Sequence, residues 1–257
     1  MIFNSLRHFA APCRRFVRTL SAPPLACVFD KDGTLLDCHL TWAPIIRDAC
    51  AHMGEADEHL YTVLGFDVST GRFVDGSLFM TGTNAEVYDE LAEHGVDTHS
   101  FQAALKAATA KARHMPLADT KALFTDVRAL GLSVAVLTSD DRVNARAFLT
   151  SSLGADDVEV DSIPMVCGDD SYGHKPSAEP LLALAEMLGV PPHRMVVVGD
   201  TTVDIQCARA AGATSVAVLT GVGTSSSLTD ADAVLPSVKD LPALLTRWCS
   251  TAQLNSQ

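Results

Sequence analysis

The chain has 257 residues, of which 47% are hydrophobic and 19% are charged, and its formal net charge at pH 7 is −12. This composition suffices for a buried core and a second small unit, and it excludes a fibrous or intrinsically disordered chain. The negative charge argues against nucleic acid as a partner, because such binding depends on basic residues that displace counterions from phosphates. No apolar stretch approaches the roughly 18 residues of a membrane span, so we expect no membrane partner either.

The first 22 residues differ in composition from the rest of the chain. They contain Arg7, Arg14, Arg15 and Arg18, and no acidic residue precedes Asp30. On a helix, Arg7, Arg14 and Arg18 would share one face opposite apolar side chains. This composition is typical of a mitochondrial transit peptide, and the alternative is an N-terminal arm on a cytoplasmic protein.

The first predicted strand, residues 25–29, leads directly into the sequence Asp-Lys-Asp-Gly-Thr. Because parallel α/β sheets bind ligands at the carboxyl ends of their strands, Asp30 and Asp32 are expected in one opening, with Gly33 permitting a tight turn. Two neighbouring carboxylates repel each other, and a divalent cation such as Mg²⁺ relieves that repulsion. A solvated Asp-Gly turn gives the same pattern, so this motif alone leaves both interpretations open.

A long insert, residues 38–116, follows this motif and far exceeds the ~4–6 residues that usually connect two elements. Segments 35–40 and 114–118 would join it to the core as hinges. Arg72 is the one cation in the turn-rich stretch 71–76, where it could contact a substrate phosphate or carboxylate, or could be a solvated hairpin arginine. Amphipathic and alanine-rich stretches predict a small helical bundle, with helices at 40–52, 57–64, 84–94 and 100–114.

Two further predicted strands lead into residues that can bind phosphate. Residues 134–137 precede Thr138 and Ser139, whose hydroxyls can donate to a phosphoryl oxygen or cap the next helix. Residues 163–167 lead through an acidic loop to Lys175, which could neutralise a carboxylate or a bound phosphate. A surface lysine in a loop is the alternative interpretation of Lys175.

A fourth strand, residues 195–198, ends in Gly-Asp-Thr-Thr-Val-Asp, which contains Asp200 and Asp204. A helix that begins near Thr201 would bring both acids to its first turn, where helix capping is an alternative role. The remaining elements continue the alternation of helices and strands, at 121–130, 142–153, 177–188, 214–219, 233–235 and 241–249. This alternation predicts an α/β fold with a doubly wound, mainly parallel sheet that is covered on both faces.

Four polar sites in this order, each at the end of a strand, resemble those of the haloacid dehalogenase (HAD) superfamily of phosphohydrolases. The resemblance covers about residues 25–219, and the sequences Asp-x-Asp-Gly-Thr and Gly-Asp-x-x-x-Asp are specific in combination. It implies a Rossmann-like HAD core made of residues 23–37 and 117–257. The insert at 38–116 would then be an all-helical cap domain that closes over the site and selects the substrate.

The resemblance also implies a role for each motif residue. Asp30 would be the nucleophile that forms an aspartyl-phosphate, and Asp32 would protonate the leaving alcohol and later activate water. Thr138, with Ser139 as the alternative, would bind the transferring phosphoryl group. Lys175 would stabilise the charge on Asp30 and on the phosphate, because a carboxylate that attacks an anionic ester needs such screening.

The metal that the resemblance implies is Mg²⁺, held by Asp30, Asp200 and the backbone carbonyl of Asp32, with Asp204 binding the ion or orienting its water. Cation-pumping ATPases have a similar Asp-Lys-Thr-Gly-Thr sequence, in which threonine stands at the position of Asp32 and the base is missing. We therefore expect a Mg²⁺-dependent phosphatase of the phosphoglycolate-phosphatase-like type, a monomer or homodimer that acts on a small phosphorylated metabolite. A phosphosugar mutase and a catalytically inactive HAD-fold binding protein are the alternatives.

Overall fold

The computed structural model of the chain describes residues 20–53, 58–154 and 157–254. Most of the predicted transit peptide, residues 1–19, lies outside the described residues, as does the first residue of the helix predicted at 57–64. None of the described helices is both long and apolar enough to cross a membrane.

The described residues form strands and helices that alternate along the chain. The strands are β1 (Ala26–Phe29), β2 (Phe66–Asp67), β3 (Arg72–Phe73), β4 (Ser133–Leu137), β5 (Met165–Val166), β6 (Met195–Gly199), β7 (Thr214–Val218) and β8 (Ala233–Leu235). The helices are α1 (Cys38–His52), α2 (Glu58–Val63), α3 (Leu78–Thr81), α4 (Asn84–Glu93), α5 (Thr98–Thr109), α6 (Thr120–Ala129), α7 (Arg142–Leu153), α8 (Asp157–Asp161), α9 (Glu179–Leu188), α10 (Thr202–Ala211) and α11 (Leu241–Leu254).

Six of the strands form one sheet in the order β5-β4-β1-β6-β7-β8, and every neighbouring pair is parallel. This sheet confirms the predicted α/β fold. Phe29 at the end of β1 is paired with Val136 of β4 and with Val198 of β6. The three central strands therefore end at nearly the same level, and the residues that follow them share one edge of the sheet.

The side chains of β1 alternate between the two faces of the sheet, and each face is covered by its own helices. Cys27 and Phe29 belong to an apolar cluster with residues of α6, α7 and α11. Ala26 and Val28 belong to another cluster, with residues of α9 and α10. Burial on both faces explains why this strand is a continuous apolar run in the sequence.

The insert contains α1 to α5 and has an apolar cluster of its own, in which Phe101 is fully buried. The prediction of an all-helical insert was incomplete, since residues 66–73 contain the antiparallel hairpin of β2 and β3. Asp67 closes the hairpin turn by accepting hydrogen bonds from the backbone N–H groups of Ser69 and Thr70. Strands of two residues are too short to show the alternation by which strands are predicted from a sequence.

The two connections between the insert and the core are hydrogen-bonded to each other. Asp37 N donates to Met115 O at 2.7 Å, and Leu117 N donates to Leu35 O at 2.8 Å. The Asp37 carboxylate also caps α1 by accepting from Leu40 N at 2.9 Å, so α1 begins directly after the first connection. The predicted hinge segments thus lie side by side as a short two-stranded link.

Candidate active site

The parallel strands bring polar residues to one edge of the sheet, as expected for its carboxyl ends. Asp30 follows β1, Thr138 follows β4 and Asp200 follows β6, while Lys175 lies in the loop between β5 and α9. One carboxylate oxygen from each of Asp30, Asp200 and Asp204 lies within 4.8 Å of the other two. Residues distant in the sequence thus form a cluster of three buried acids and a buried lysine.

Lys175 links two of these acids. Its Nζ lies 2.7 Å from Asp30 Oδ1 and 2.7 Å from Asp204 Oδ1. Burial by itself lowers the pKa of Lys175, but the adjacent carboxylates of Asp204 and Asp30 outweigh burial and raise the pKa above its usual range. Lys175 therefore stays protonated at neutral pH, and the alternative of a surface lysine is excluded.

Asp204 contacts Lys175 and also caps a helix. Its Oδ1 accepts the hydrogen bond from Lys175. Its Oδ2 accepts from the backbone N–H of Thr201 at 3.0 Å and from the Thr201 hydroxyl at 2.5 Å, which caps α10. The helix cap therefore fixes the carboxylate that faces the cluster, and the capping and functional interpretations are compatible.

Asp200 has one oxygen bound and one free. Its Oδ2 accepts from the backbone N–H of Val222 at 2.9 Å, whereas its buried Oδ1 has no hydrogen-bond partner among the described residues. Burial raises the pKa of Asp200 well above its usual range, and the negative charges of Asp30 and Asp204 add to the effect. An unpaired buried carboxylate oxygen is costly. The cost is removed by a cation, and an all-oxygen donor set suits a hard divalent ion such as Mg²⁺.

Burial and the neighbouring charges also act on the carboxylate of Asp30. Burial, together with the charges of Asp204 and Asp32, raises the pKa of Asp30 to about 7, and Lys175 only partly opposes this rise. The cluster of Asp30, Asp200 and Asp204 carries more negative charge than Lys175 can neutralise. A bound cation would balance that charge.

Two glycines make room for Asp200. Gly33 has a φ of +78°, which favours glycine, and a Cβ at this position would also overlap the Asp200 carboxylate. A Cβ on Gly221 would overlap the same carboxylate, although the backbone of Gly221 is not in the left-handed region. Gly221 was not predicted to belong to the site, because its distance from Asp200 depends on how the loop after β7 folds back.

Asp32 is bound through both of its oxygens. Its Oδ1 accepts from Trp42 Nε1 of α1 at 2.6 Å, and its Oδ2 lies 2.6 Å from Lys31 Nζ. Lys31 is almost fully buried, pairs with Asp140 at 3.0 Å, and lies 5.4 Å from the centre of the Trp42 ring. This second charged cluster orients Asp32 beside Asp30.

Sequence reasoning missed the partners of Asp32. Lys31 stands between the two motif acids, and Asp140 follows Thr138 and Ser139 closely, so their positions were a usable signal. Trp42 gave no such signal, because its approach to the core depends on the placement of the insert. The described cysteines are free and contribute no side chain to the acid clusters.

Thr138 is buried, and its Oγ1 accepts from Asp140 N at 3.2 Å. Asp141, not Thr138, occupies the N-cap position of α7, so the capping interpretation of Thr138 is wrong. Ser139 donates from its hydroxyl to Thr81 O of the insert at 3.1 Å. Thr138 and Ser139 both line the cleft described below, and Ser139 in addition joins the insert to the core.

Arg72, predicted as a substrate contact, lies elsewhere. It is exposed on the hairpin and does not line the cleft. The hairpin instead contacts the core through His39, whose Nδ1 accepts from Phe73 N at 3.2 Å and whose Nε2 lies 3.3 Å from Gly221 O. Asp75 of the hairpin region also accepts from the Thr224 hydroxyl. Because Arg72 lies outside the cleft, the structure favours the solvated hairpin arginine over the predicted substrate contact.

A cleft that is partly open to solvent lies between the insert and the core. The carboxylates of Asp30, Asp32 and Asp140 form part of its wall. The groups available there are two neighbouring carboxylates, Asp30 and Asp32, and the Thr138 hydroxyl, and Asp30 also belongs to the group of acids that could hold a cation. This arrangement suits attack on a phosphate ester.

The comparisons with known proteins agree with this geometry. The sequence model of the haloacid dehalogenase-like hydrolase family matches residues 24–212. The chain belongs to this family, in agreement with the resemblance found in the motifs.

Individual relatives share smaller parts of the sequence. The phosphoglycolate phosphatase of Escherichia coli K12 is 36% identical over 121 residues, which is 46% of this chain and 46% of that protein. The chain thus matches about half the length of its curated relatives.

Solved structures cover more of the chain. A predicted phosphoglycolate phosphatase from Haemophilus somnus has a TM-score of 0.66 at 18% identity, over 85% of this chain and 96% of that one. A candidate β-phosphoglucomutase from Bacteroides vulgatus has a TM-score of 0.65 at 19% identity, over 90% of each chain. At these identities the likeness shows the fold alone.

We predict that Gly221→Ala lowers the affinity for Mg²⁺ by about ten-fold, since overpacking a filled site costs about 1–3 kcal/mol and displaces Asp200. Isothermal titration calorimetry measures this affinity. Gly131→Ala is the matched control, because Gly131 has a φ of +83° but open space for a Cβ. The control should lose about 1 kcal/mol of unfolding free energy in urea and keep its Mg²⁺ affinity. Equal affinities in the two variants would contradict the role of Gly221.

Proposed function

We propose that the protein is a Mg²⁺-dependent phosphatase that hydrolyses a small phosphorylated metabolite through an aspartyl-phosphate on Asp30. The observation that carries this proposal is the buried cluster of Asp30, Asp200 and Asp204, with Lys175 bound to two of the three acids. Membership of the hydrolase family and the likeness to phosphoglycolate phosphatase over part of the chain support it.

In the first half of the reaction, an oxygen of Asp30 attacks phosphorus and the bond from phosphorus to the ester oxygen breaks. Lys175 holds the other carboxylate oxygen by its hydrogen bond to Asp30 Oδ1, and its charge opposes the repulsion between Asp30 and the phosphate. The Thr138 hydroxyl, which lines the cleft, would donate to a phosphoryl oxygen. Mg²⁺, held by Asp30, Asp200 and Asp204, would supply charge neutralisation for the phosphoryl oxygens.

Asp32 is proposed as the acid and then the base. It gives a proton to the leaving alcohol, and in the second half it takes a proton from the water that attacks phosphorus and regenerates Asp30. The hydrogen bonds from Trp42 and Lys31 hold the Asp32 carboxylate in one orientation. The same side chain can therefore serve both steps without moving far.

A phosphosugar mutase remains the second candidate, because the fold is shared with a candidate β-phosphoglucomutase. A mutase would return the phosphoryl group from Asp30 to a second hydroxyl of the substrate. Analysis of the products separates the two functions, since a phosphatase releases one inorganic phosphate for each ester consumed. A binding protein without activity is disfavoured, because Asp30, Lys175 and the acid cluster are buried together and Asp32 is also present.

We predict that Asp30→Asn abolishes the hydrolysis of p-nitrophenyl phosphate and that Asp32→Ala lowers kcat by about 100-fold to 10,000-fold. Chelation of divalent ions should abolish the activity of the unchanged protein, and added Mg²⁺ should restore it. Asp119→Asn is the matched control, because Asp119 caps α6 away from the cleft and asparagine caps a helix equally well. Full activity of Asp30→Asn, or no activity of the unchanged protein on a broad panel of esters, would refute the phosphatase proposal.

We predict that Trp42→Phe lowers kcat about ten-fold for an alkyl phosphate and less for p-nitrophenyl phosphate. A hydrogen bond to a charged group contributes about 1.5–3 kcal/mol. The alkyl alcohol is the poorer leaving group of the two, so its release depends more on a well-oriented acid. The measurement is the ratio of kcat values for the two esters. Trp248→Phe, at the other tryptophan, which is buried in α11, is the control and should leave this ratio unchanged. An unchanged ratio in Trp42→Phe would count against the positioning role.

We also propose, from composition alone, that residues 1–22 direct import into mitochondria. A fusion of these residues to a fluorescent reporter should accumulate there. The control replaces Arg7, Arg14, Arg15 and Arg18 by glutamine, which removes the basic face and should leave the reporter diffuse. Diffuse fluorescence of the first fusion would instead favour the cytoplasmic alternative.

A further inference from the structure

The charges around the cleft bear on the substrate, and this inference rests on the proposed phosphatase function. Three of the side chains that line the cleft are the carboxylates of Asp30, Asp32 and Asp140. No lysine, arginine or histidine lines it among the residues that the structure describes. Asp30 and Asp32 take part in the proposed reaction, so Asp140 is the acid of the cleft wall that a second anionic group on the alcohol would meet, with no cation of its own.

The nearby cations are already engaged. Lys175 is bound between Asp30 and Asp204, and Lys31 is bound between Asp32 and Asp140. The second group consists of two carboxylates and one ammonium, so it carries net negative charge when both acids are ionised. Neither lysine can turn towards a carboxylate of the substrate without leaving a buried acid unpaired.

Three basic residues of the insert, Arg72, His39 and His114, do not line the cleft and do not supply a charge to it. Arg72 is exposed on the hairpin, outside the cleft. Burial, with Arg72 adding to it, lowers the pKa of His39, and burial, with Lys31 adding to it, lowers the pKa of His114. Both imidazoles are therefore neutral at pH 7, and both are hydrogen-bonded, His39 to the Gly221 region and His114 to Ser151.

Three of the insert residues that line the cleft are large and apolar, and the other two are Gly82 and Asn84. Trp42, Phe79 and Met80 are the apolar three, and the Trp42 and Phe79 rings pack edge to face with centres 5.5 Å apart. Such a wall accepts carbon surface and leaves hydrogen bonding to a few polar groups.

From this distribution of charge we infer that the cleft takes the phosphate ester of a small uncharged alcohol and discriminates against esters that carry a second anionic group. Phosphoglycolate, the substrate in the name of the Escherichia coli relative, has such a group in its carboxylate. The discrimination would come from Asp140 and the absence of a cation on the cleft wall, since a second anionic group on the substrate would bring a like charge there.

The direct test compares 2-hydroxyethyl phosphate with phosphoglycolate, which match in size and both release a primary alcohol. We expect kcat/KM to be at least about ten-fold higher for 2-hydroxyethyl phosphate, because about 1.4 kcal/mol of repulsion corresponds to that factor. Equal or better hydrolysis of phosphoglycolate would overturn the inference and leave the phosphatase proposal intact. A preference of about ten-fold for 2-aminoethyl phosphate over 2-hydroxyethyl phosphate would also overturn it, since the alcohol would then be cationic.

A binding measurement separates this inference from catalysis. The Asp30→Asn variant with Mg²⁺ present should bind 2-hydroxyethyl phosphate at least about ten-fold more tightly than phosphoglycolate in isothermal titration calorimetry. If the unchanged protein hydrolyses no ester, the phosphatase proposal fails, and this binding ratio still decides the selectivity of the cleft. Tighter binding of phosphoglycolate would overturn the inference.

A substitution at Met80, which lines the cleft, tests whether charge sets the substrate preference. Met80→Lys adds a cation of similar length to the apolar side of the cleft and should raise kcat/KM for phosphoglycolate, relative to 2-hydroxyethyl phosphate, by about ten-fold. Met80→Gln adds a polar group without charge and should leave this ratio near that of the unchanged protein. A similar shift in both variants would show that polarity, and not charge, sets the preference, and would contradict the inference.

Discussion

Lys175 places one buried positive charge between the carboxylates of Asp30 and Asp204, at 2.7 Å from each. Without it, three acids would be buried close together with no opposite charge from the protein. Loss of one partner from a buried ion pair costs about 3–5 kcal/mol, because the other charge is left uncompensated. The lysine nevertheless balances only part of the negative charge, and Asp200 Oδ1 has no hydrogen-bond partner among the described residues. The interaction therefore both stabilises the cluster and leaves it able to bind a cation.

The parallel sheet makes this cluster possible. Because β1 lies between β4 and β6 and all three run in the same direction, Asp30 emerges between Thr138 and Asp200. The loops beyond the strands add Lys175, while the cap of α10 fixes Asp204. Glycines at 33 and 221 let the chain approach the Asp200 carboxylate more closely than any other residue would allow. Rigid backbone elements thus hold the charged groups, which is what a preorganised site for phosphate chemistry requires.

The insert completes the site and does more than cover it. Trp42 of α1 donates to Asp32, and Thr81 accepts from Ser139, so the acid beside Asp30 and the strand end at β4 both have partners in the insert. The same region provides the aromatic side of the cleft through Phe79. In the proposed reaction, the orientation of the acid and the choice of alcohol would therefore both depend on one placement of the insert against the core. The chain joins the insert to the core through the two segments 35–37 and 115–117, which are hydrogen-bonded to each other.

Local sequence determined the sheet, its order of elements and most of the acid cluster. Apolar runs of β-branched residues mark buried strands whatever surrounds them, so β6 and β8 were found within a residue, and α7 was predicted with its observed bounds. Asp30, Lys175, Asp200 and Asp204 could be identified because each follows such a strand. The tertiary structure alone decided the rest. The hairpin at 66–73, the approach of Gly221 to Asp200, the pairing of Lys31 with Asp140 and the position of Arg72 outside the cleft all depend on how distant segments pack. Contacts of that kind are set by burial and charge compensation across the whole fold, and no short window of sequence contains both partners.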